Sequence, residues 1–433
     1  KYKDKYMKNL HISFIFLISC LFAIGQSNWK TKAPFPGVAR HHPIAFSLIG
    51  NGYVLAGTAG AQAGGADTYV KDFYRYDPVS NTWTKMADFP GVARSFSYAV
   101  TNNGKAYVGF GISSTNQYLN DLWEYDPIAN TWKQLASCSC VGRFHPAFVS
   151  TANGKLFVGA GGSATGNRKD WYEYNISSNS WLKHPDLPGD TRHHPYFFGI
   201  GTDAYVGMGH GTTFVPGFRL TSTNIYNDFY KFNTVNNSWT KLSDFPGEGR
   251  VAGSQFNNGK YGYIISGENE QHQNFDSGYF YQYTPDLDSW IKQESHPGNG
   301  SRWATGTFVI DNMVYLVGGE DASGLRLNQM LSFDLSTIEE EETDPNLTVG
   351  VESLFGESNF QMFPNPASDV LNFQIDSDSE TSVCLFDLNG KLITKQTISK
   401  SESTISLIEL DPGIYIVQID NEGVIVRERL IKN

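Results

Sequence analysis

The chain has 433 residues with 43 Gly, 23 Tyr, 29 Phe and 9 Trp, only 18% charged residues and a formal net charge of −11. This length supports two or three domains with a sizeable core, and the glycine and aromatic content suits short strands joined by tight turns. Disorder and a small disulfide scaffold are excluded, and the negative charge excludes a large phosphate-binding surface, so nucleic acid is not an expected partner.

Lys1 to Tyr6 precede Met7, which reads as the natural start. Lys8 and His11 then form a short basic region, Ile12 to Ile24 an apolar run, and Ala23-Ile24-Gly25 a small-residue cleavage site before Gln26. The run is too short to span a bilayer comfortably. Residues 1–25 are therefore expected to be upstream residues and a signal peptide, leaving no transmembrane anchor in the mature chain. Leu17-Ile18-Ser19-Cys20 resembles a lipobox, but the apolar run continues past it through Leu21-Phe22-Ala23-Ile24. Export leaves Cys138, Cys140 and Cys384, an odd number that argues against a disulfide framework. Cys138-Ser139-Cys140 stays open between a tight disulfide, a soft-metal pair and a plain loop pair, although two thiols with no third ligand nearby say little for metal.

From residue 26 the sequence repeats. Trp29, Trp83, Trp132, Trp181, Trp239 and Trp290 are spaced by 54, 49, 49, 58 and 51 residues. An arginine follows each at a fixed offset: Arg40, Arg94, Arg143, Arg192 and Arg250 lie 11 residues on, and Arg302 lies 12 on. Next comes an apolar strand closing on glycine, as in Val54-Leu55-Ala56-Gly57 or Tyr107-Val108-Gly109, which reads as a buried inner strand. An aromatic strand closing on a polar residue follows, as in Phe73-Tyr74-Arg75-Tyr76-Asp77. Asn51-Gly52, Asn103-Gly104, Asn153-Gly154 and Asn258-Gly259 fall between the first two strands of their repeats, where a tight hairpin needs positive φ.

This pattern resembles the Kelch repeat from Trp29 to about Asp334, although only Gly161-Gly162 and Gly318-Gly319 keep the family's glycine doublet. The resemblance implies an all-β, six-bladed β-propeller over residues 26–336. The last copy, from Arg302, lacks its own tryptophan while Trp29 stands ahead of the first copy, so Trp29 is expected to supply the outer strand of the final blade. That closure removes the open sheet edge.

Residues 337–357, with Glu339-Glu340-Glu341-Glu342 and Asp344-Pro345, read as an acidic linker. Residues 358–433 read as a small antiparallel β-sandwich, from Phe363-Pro364-Asn365-Pro366-Ala367 through Val370 to Phe373, Val383 to Asp387, Gly390-Lys391 and Gly413 to Val417, to a basic ending at Arg427 to Lys432. The proline motif, the glycine-tyrosine strand and the basic end resemble the type IX secretion sorting domain. The type IX machinery is therefore an implied partner, and the product is expected to be secreted or attached to the outer surface of a bacterium.

The repeat arginines and the loops after the glycine strands should emerge on one side, around the channel mouth. The ligand-binding candidates are accordingly Arg40, Arg94, Arg143, Arg192, Arg250 and Arg302 with His42, His145, His194 and Glu268; His41 and His193 stand beside them. Two arginines about 9 Å apart repel by about 2 kcal/mol at an effective dielectric near 20, so such a ring needs counter-charges, for which Glu268, Glu270, Glu320 and Asp321 are available, or a bound anion. Two readings stay open: each arginine fastens its sheet by donating to neighbouring carbonyls, or the ring binds an anion, as the Kelch resemblance allows. Arg40-His41-His42-Pro43 and Arg192-His193-His194-Pro195 are the same tetrapeptide. Neighbouring strand residues point to opposite faces, so neither pair is expected to offer both rings to one ion, and no metal or cofactor is expected.

No nucleophile, base and orienting group fall in a recognised arrangement. The leading reading is a binding module for a carbohydrate or protein ligand, expected to be anionic, with the long loop from His210 to Asn227 the place for specificity. The alternative is a sugar mutarotase or epimerase, because six-bladed Kelch proteins include sialic-acid mutarotases; Glu268 with a mouth histidine would supply the acid and base. A copper oxidase similar to galactose oxidase is disfavoured, since that family has seven blades and a cysteine-tyrosine cross-link for which no cysteine here lies in a matching motif.

Overall fold

The computed structural model describes residues 27–61, 67–211, 225–269, 271–338, 360–375, 381–386, 392–399, 403–421 and 424–433. The expected signal peptide, residues 339–357 of the expected acidic linker, Glu270 and Gly390-Lys391 lie outside them. The chain divides into two compact units, 1–339 and 340–433.

The first unit contains six four-stranded antiparallel sheets among the described residues. Blade 1 is Ile44–Leu48, Asn51–Leu55, Phe73–Asp77 and Thr82–Lys85. Blade 2 is Tyr98–Asn102, Lys105–Gly109, Leu122–Asp126 and Thr131–Leu135. Blade 3 is Ala147–Ser150, Leu156–Gly159, Trp171–Asn175 and Ser180–His184. Blade 4 is Tyr196–Ile200, Asp203–Gly207, Phe229–Asn233 and Ser238–Leu242. Blade 5 is Ser254–Asn257, Gly262–Ile265, Gly278–Thr284 and Ser289–His296. Blade 6 is Gly306–Ile310, Met313–Val317 and Met330–Asp334, completed by Lys30–Lys32. The first strands neighbour one another in a closed ring, blade 1 to 2 and onward to 6 and back to 1.

Lys30, Thr31 and Lys32 pair with Ser332, Leu331 and Met330, and Trp29 is buried beside them against Phe280 and Phe333. The N-terminal strand thus closes the sixth blade and covers the edge that Met330–Asp334 would otherwise leave open. Side-chain and backbone bonds both join blade to blade. The indole of Trp83 donates to Ala33 O, that of Trp181 to Ala136 O, that of Trp239 to Pro185 O and that of Trp29 to Glu294 O, each reaching the segment at the outer strand of the preceding blade. In five blades the glycine after the second strand donates its N–H to the carbonyl of the next blade's arginine: Gly57 to Arg94, Gly111 to Arg143, Gly161 to Arg192, Gly267 to Arg302 and, across the closure, Gly319 to Arg40.

The second strands, such as Tyr53-Val54-Leu55 and Ala106-Tyr107-Val108, are fully buried because a neighbouring blade covers each face. Burying one such Val or Leu side chain stabilises by about 1.5–3 kcal/mol. The third-to-fourth strand turns repeat one device, a tyrosine hydroxyl donating to the turn residue, as in Tyr76 to Asn81 (2.8 Å), Tyr125 to Asn130 (2.9 Å) and Tyr174 to Asn179 (2.7 Å). Those asparagines hold φ of 52°, 52° and 49°, which asparagine tolerates better than most residues.

One expected turn is displaced. Asn103-Gly104 forms its hairpin with φ of 48° and 72°, but in blade 1 Ile49 and Gly50 make the turn at 49° and 70°, while Asn51-Gly52 lies inside the second strand. The reason is packing: a Cβ at Gly52 would sit 2.2 Å from the ring of Phe308 in blade 6, so this glycine is the room left for that ring.

Cys138 and Cys140 form a disulfide, and Cys384 is free. Cys138 lies five residues before Arg143, as Phe35 and Phe89 lie five before Arg40 and Arg94, and Cys140 occupies the place of Gly37 and Gly91. The bridge thus stands where other blades use a Phe-Pro-Gly turn.

The C-terminal unit has two sheets. Phe360–Phe363, Val370–Ile375 and Thr404–Ser406 form one; Thr381–Phe386, Leu392–Ile398, Gly413–Asn421 and Val424–Lys432 form the other. Leu371, Phe373, Val383, Leu385, Val417 and Ile419 contribute to the shared core.

Candidate functional site

Each repeat arginine lies on the segment entering its blade, and all six are at most 2% exposed. Four are held fork to fork by an aspartate directly preceding the blade's third strand. Arg40 meets Asp72 at 2.6 and 2.8 Å, Arg94 meets Asp121 at 2.8 and 2.6 Å, and Arg143 meets Asp170 at 2.6 and 3.0 Å. Arg192 holds Asp228 in the same way. Each of the six also donates to the carbonyl after its second strand: Ala56, Phe110, Ala160, Met208, Ser266 and Gly318. Phe35, Phe89 and Phe245 lie between an arginine, at 4.7, 4.9 and 5.0 Å, and the outer-strand tryptophan of the same blade.

Blades 5 and 6 depart from this. Tyr279 replaces the aspartate in blade 5, and Arg250 is enclosed by Phe245, Phe275, Tyr279 and Tyr281, with burial lowering its pKa from the usual arginine value. In blade 6 Arg302 donates to Gln329, and burial holds it at about 10. The arginines therefore lie inside the blades as fasteners, each joining segments of its own blade. The counter-charges of Arg40, Arg94, Arg143 and Arg192 are four aspartates whose signal was readable, since each directly precedes the aromatic or leucine that opens a third strand; of the acidic loop residues, Asp321 acts on Arg302.

Two residues beyond each arginine, His42, Phe96, His145, His194, Ala252 and Ala304 all take left-handed φ between 48° and 59°. Consecutive members bond around the axis, with His145 N donating to Phe96 O, Ala304 N to Ala252 O and His42 N to Ala304 O. Their side chains meet there: the ring of His42 lies 4.4 Å from Phe96, 4.8 Å from His145 and 6.3 Å from His194, centroid to centroid. His41, His193 and His210 surround this plug; His42 and His41 approach through their Nδ1 atoms at 2.6 Å, and His194 Nδ1 lies 3.4 Å from His210 Nε2. Burial drives His41 and His210 to about 3 and holds His42, His145, His193 and His194 well below the ordinary histidine value, so the rings are neutral. The expected separation of the rings within each His-His pair does not hold, because the left-handed turn at His42 and His194 breaks strand alternation: His41 and His42 meet through Nδ1, and His193 and His194 both approach His210, while the ring of blades also unites one histidine of each pair with His145.

Beside the plug, the residue after each glycine turn bridges the residue after its own blade's entry arginine. Thr58, Ile112, Gly162 and His210 hold this position in blades 1–4, and Glu268 and Glu320 hold it in blades 5 and 6. Glu268 accepts from His272 at 3.1 Å, and Glu320 from Arg326 Nε at 3.3 Å, while Arg326 Nη2 reaches Asp67 at 2.5 Å. Burial raises the Glu320 pKa; Arg326 opposes that, and Glu268 and Asp67 add to it. Trp303, half-buried, lies against His41 and His42 at 4.4 and 4.8 Å. Residues 212–224 of the long loop lie outside the described residues.

At the opposite end a cavity of about 690 Å³ runs between the first strands, lined by hydroxyls and amides such as Thr101, Ser150, Gln255, Asn257 and Thr307.

Residues 53–331 match the family described as Attractin/LZTR1 beta-propeller. The chain belongs to that family. The propeller's C-terminal partner segment, residues 361–433, matches the secretion system C-terminal sorting domain, which indicates type IX secretion to the cell surface or beyond. The propeller-bearing chain is similar to the N-acetylneuraminate epimerases of Shigella flexneri serotype 5b (strain 8401) and Escherichia coli (strain K12), 30% identical over 88 residues in each case, or 20% of this chain and 24% of theirs. The chain thus spans about a quarter of the length of those curated relatives. Among solved structures it is similar to that of YjhT, with a TM-score of 0.51, 20% identity, and coverage of 61% of this chain and 87% of that one, a likeness of fold. No helix among the described residues is long and apolar enough to cross a membrane.

Proposed function

We propose that this protein is a carbohydrate-binding propeller displayed on or released from the cell surface, and that it contacts its sugar at the plug end through Glu268, Glu320, Arg326 and Trp303. The observation carrying this reading is the departure from the repeat at one position: two carboxylates stand on neighbouring blades where the other four carry Thr58, Ile112, Gly162 and His210. Each carboxylate is held by a basic residue of its own loop. Oriented carboxylates accept from sugar hydroxyls, and a half-buried indole offers an apolar face. Four repeat arginines are already paired with aspartates and all six are buried, so an acidic sugar would place its carboxylate on Arg326.

A second reading, a mutarotase or epimerase, is favoured by Glu320, whose burial raises its pKa, standing beside a fixed guanidinium, an arrangement suited to moving a proton. A glycan and sugar-acid binding screen tests the first reading, with Glu320→Gln and Arg326→Ala as site variants. Binding lost in both variants supports it, and binding untouched in both refutes it. Anomer exchange followed on any bound sugar, faster with the parent than with Glu320→Gln, would establish the second.

A further inference from the structure

The left-handed turn at the axis does not demand histidine, because Phe96, Ala252 and Ala304 make the same turn in blades 2, 5 and 6. Yet blades 1, 3 and 4 place His42, His145 and His194 there, all at most 7% exposed. A ring nitrogen from each lies within 4.8 Å of one from each of the others. His42 Nε2, His145 Nδ1 and His194 Nε2 are buried and make no hydrogen bond within the protein. Burying a polar atom without a partner costs about 1–3 kcal/mol, so three in one cluster are an expensive way to fill an axis that Phe and Ala fill elsewhere.

From this geometry we propose that His42, His145 and His194 form a three-imidazole site for a divalent ion of the zinc class at the propeller axis. Neutral imidazole suits zinc, with bonds of about 2.0–2.1 Å, which correspond to nitrogen separations of about 3.3 Å in a tetrahedron; the present spread closes to that by small ring rotations. The ligand set contains no carboxylate or thiolate, which disfavours magnesium and calcium. His41 beside His42 and His210 beside His194 stand where outer partners orient metal-binding imidazoles. The cavity of about 690 Å³ reaches Pro43, Gly253 and Thr305, chain neighbours of the plug residues His42, Ala252 and Ala304, so its inner end lies beside the plug.

The test uses the full chain purified without a histidine tag, stripped with chelator and titrated with Zn²⁺, and separately with Co²⁺ as a spectroscopic probe. About one equivalent should bind, with a rise in melting temperature and the intense visible absorption of low-coordinate cobalt. His145→Phe and His194→Ala copy residues found at this position in other blades and are expected to fold, as checked by circular dichroism. Each should weaken zinc by more than the roughly ten- to hundredfold that loss of an outer partner costs, and His210→Ala should fall within that smaller range. Less than about a tenth of an equivalent bound by the parent, or binding that survives both His145→Phe and His194→Ala, overturns the site. Binding abolished by His210→Ala but kept by His145→Phe overturns this ligand set in favour of His193, His194 and His210, which also approach within 4.8 Å.

Discussion

Removing Asp170 is the sharpest test of what the repeat arginines do. Asp170→Ala leaves the Arg143 guanidinium, 0% exposed, with its carbonyl partners Ala160 and Val141 but no counter-charge. Breaking a buried ion pair from one side costs about 3–5 kcal/mol, whereas replacing both partners by apolar groups is often neutral. At about 2.1 cal/mol/K of unfolding entropy per residue over the roughly 310 residues of this unit, that loss lowers the melting temperature by about 5–8 °C. The assay is calorimetric unfolding of the parent, Asp170→Ala, Arg143→Met and the double variant Arg143→Met/Asp170→Leu. Both single variants should melt early, and the double variant should recover most of the difference. If Asp170→Ala instead stays within about 1 kcal/mol of the parent and Arg143→Met selectively abolishes retention of acidic sugars, the arginines are ligand contacts and the fastener account fails.

Trp29→Ala should cost about 3–5 kcal/mol and make the blade 6 strand Met330–Asp334 accessible to limited proteolysis, because Trp29 anchors the strand that covers it; protease resistance equal to the parent's would refute the closure. His296 is buried beside Ser266, and burial, with Arg302 adding, lowers it to about 4, so folding favours its neutral form. Its contribution is therefore complete above about pH 6.5 and fades as the pH falls from 6.5 toward 4, by up to about 3 kcal/mol at roughly 1.4 per unit. Urea unfolding should accordingly show His296→Gln more damaging at pH 7 than at pH 4.5, and equal damage at both would contradict it. Cys138→Phe/Ser139→Pro/Cys140→Gly, which writes the turn of blades 1 and 2 into blade 3, should fold and melt alike with and without reductant, while the parent loses about 1.5 kcal/mol on reduction of its three-residue loop.

The architecture was legible because the same physical demands recur in every blade. A tryptophan, an arginine and a glycine-ended strand at constant spacing define a unit that cannot bury both its faces alone, and the unmatched Trp29 pointed to the closure. The displaced hairpin of blade 1 was not legible, since Asn51-Gly52 has the composition of a turn and becomes strand only because Phe308, more than 250 residues away, occupies the space beside Gly52. The arginine partners were legible in principle: Asp72, Asp121, Asp170 and Asp228 precede the third strands as regularly as the tryptophans occupy the fourth. The acidic loop residues Glu268 and Glu320 belong instead to ion pairs with His272 and Arg326 of their own loops.

The histidines show where a pairwise reading of sequence stops. Alternation along a strand separates His41 from His42 and His193 from His194 only on paper, because the left-handed turn at the second histidine brings the rings of each pair together, and it treats each blade as an isolated ribbon. Ring closure superimposes the same repeat position from every blade on one axis, so residues at 42, 145 and 194, about 50 and 100 positions apart, become neighbours. In a closed array the informative comparison runs across blades at one position: where the backbone demand is met equally by Phe96 and Ala304, a histidine reports a demand of its side chain, and where Thr58 suffices, Glu268 and Glu320 do the same. Both departures lie at the plug end, within the aromatic wall formed by Phe96 and Trp303.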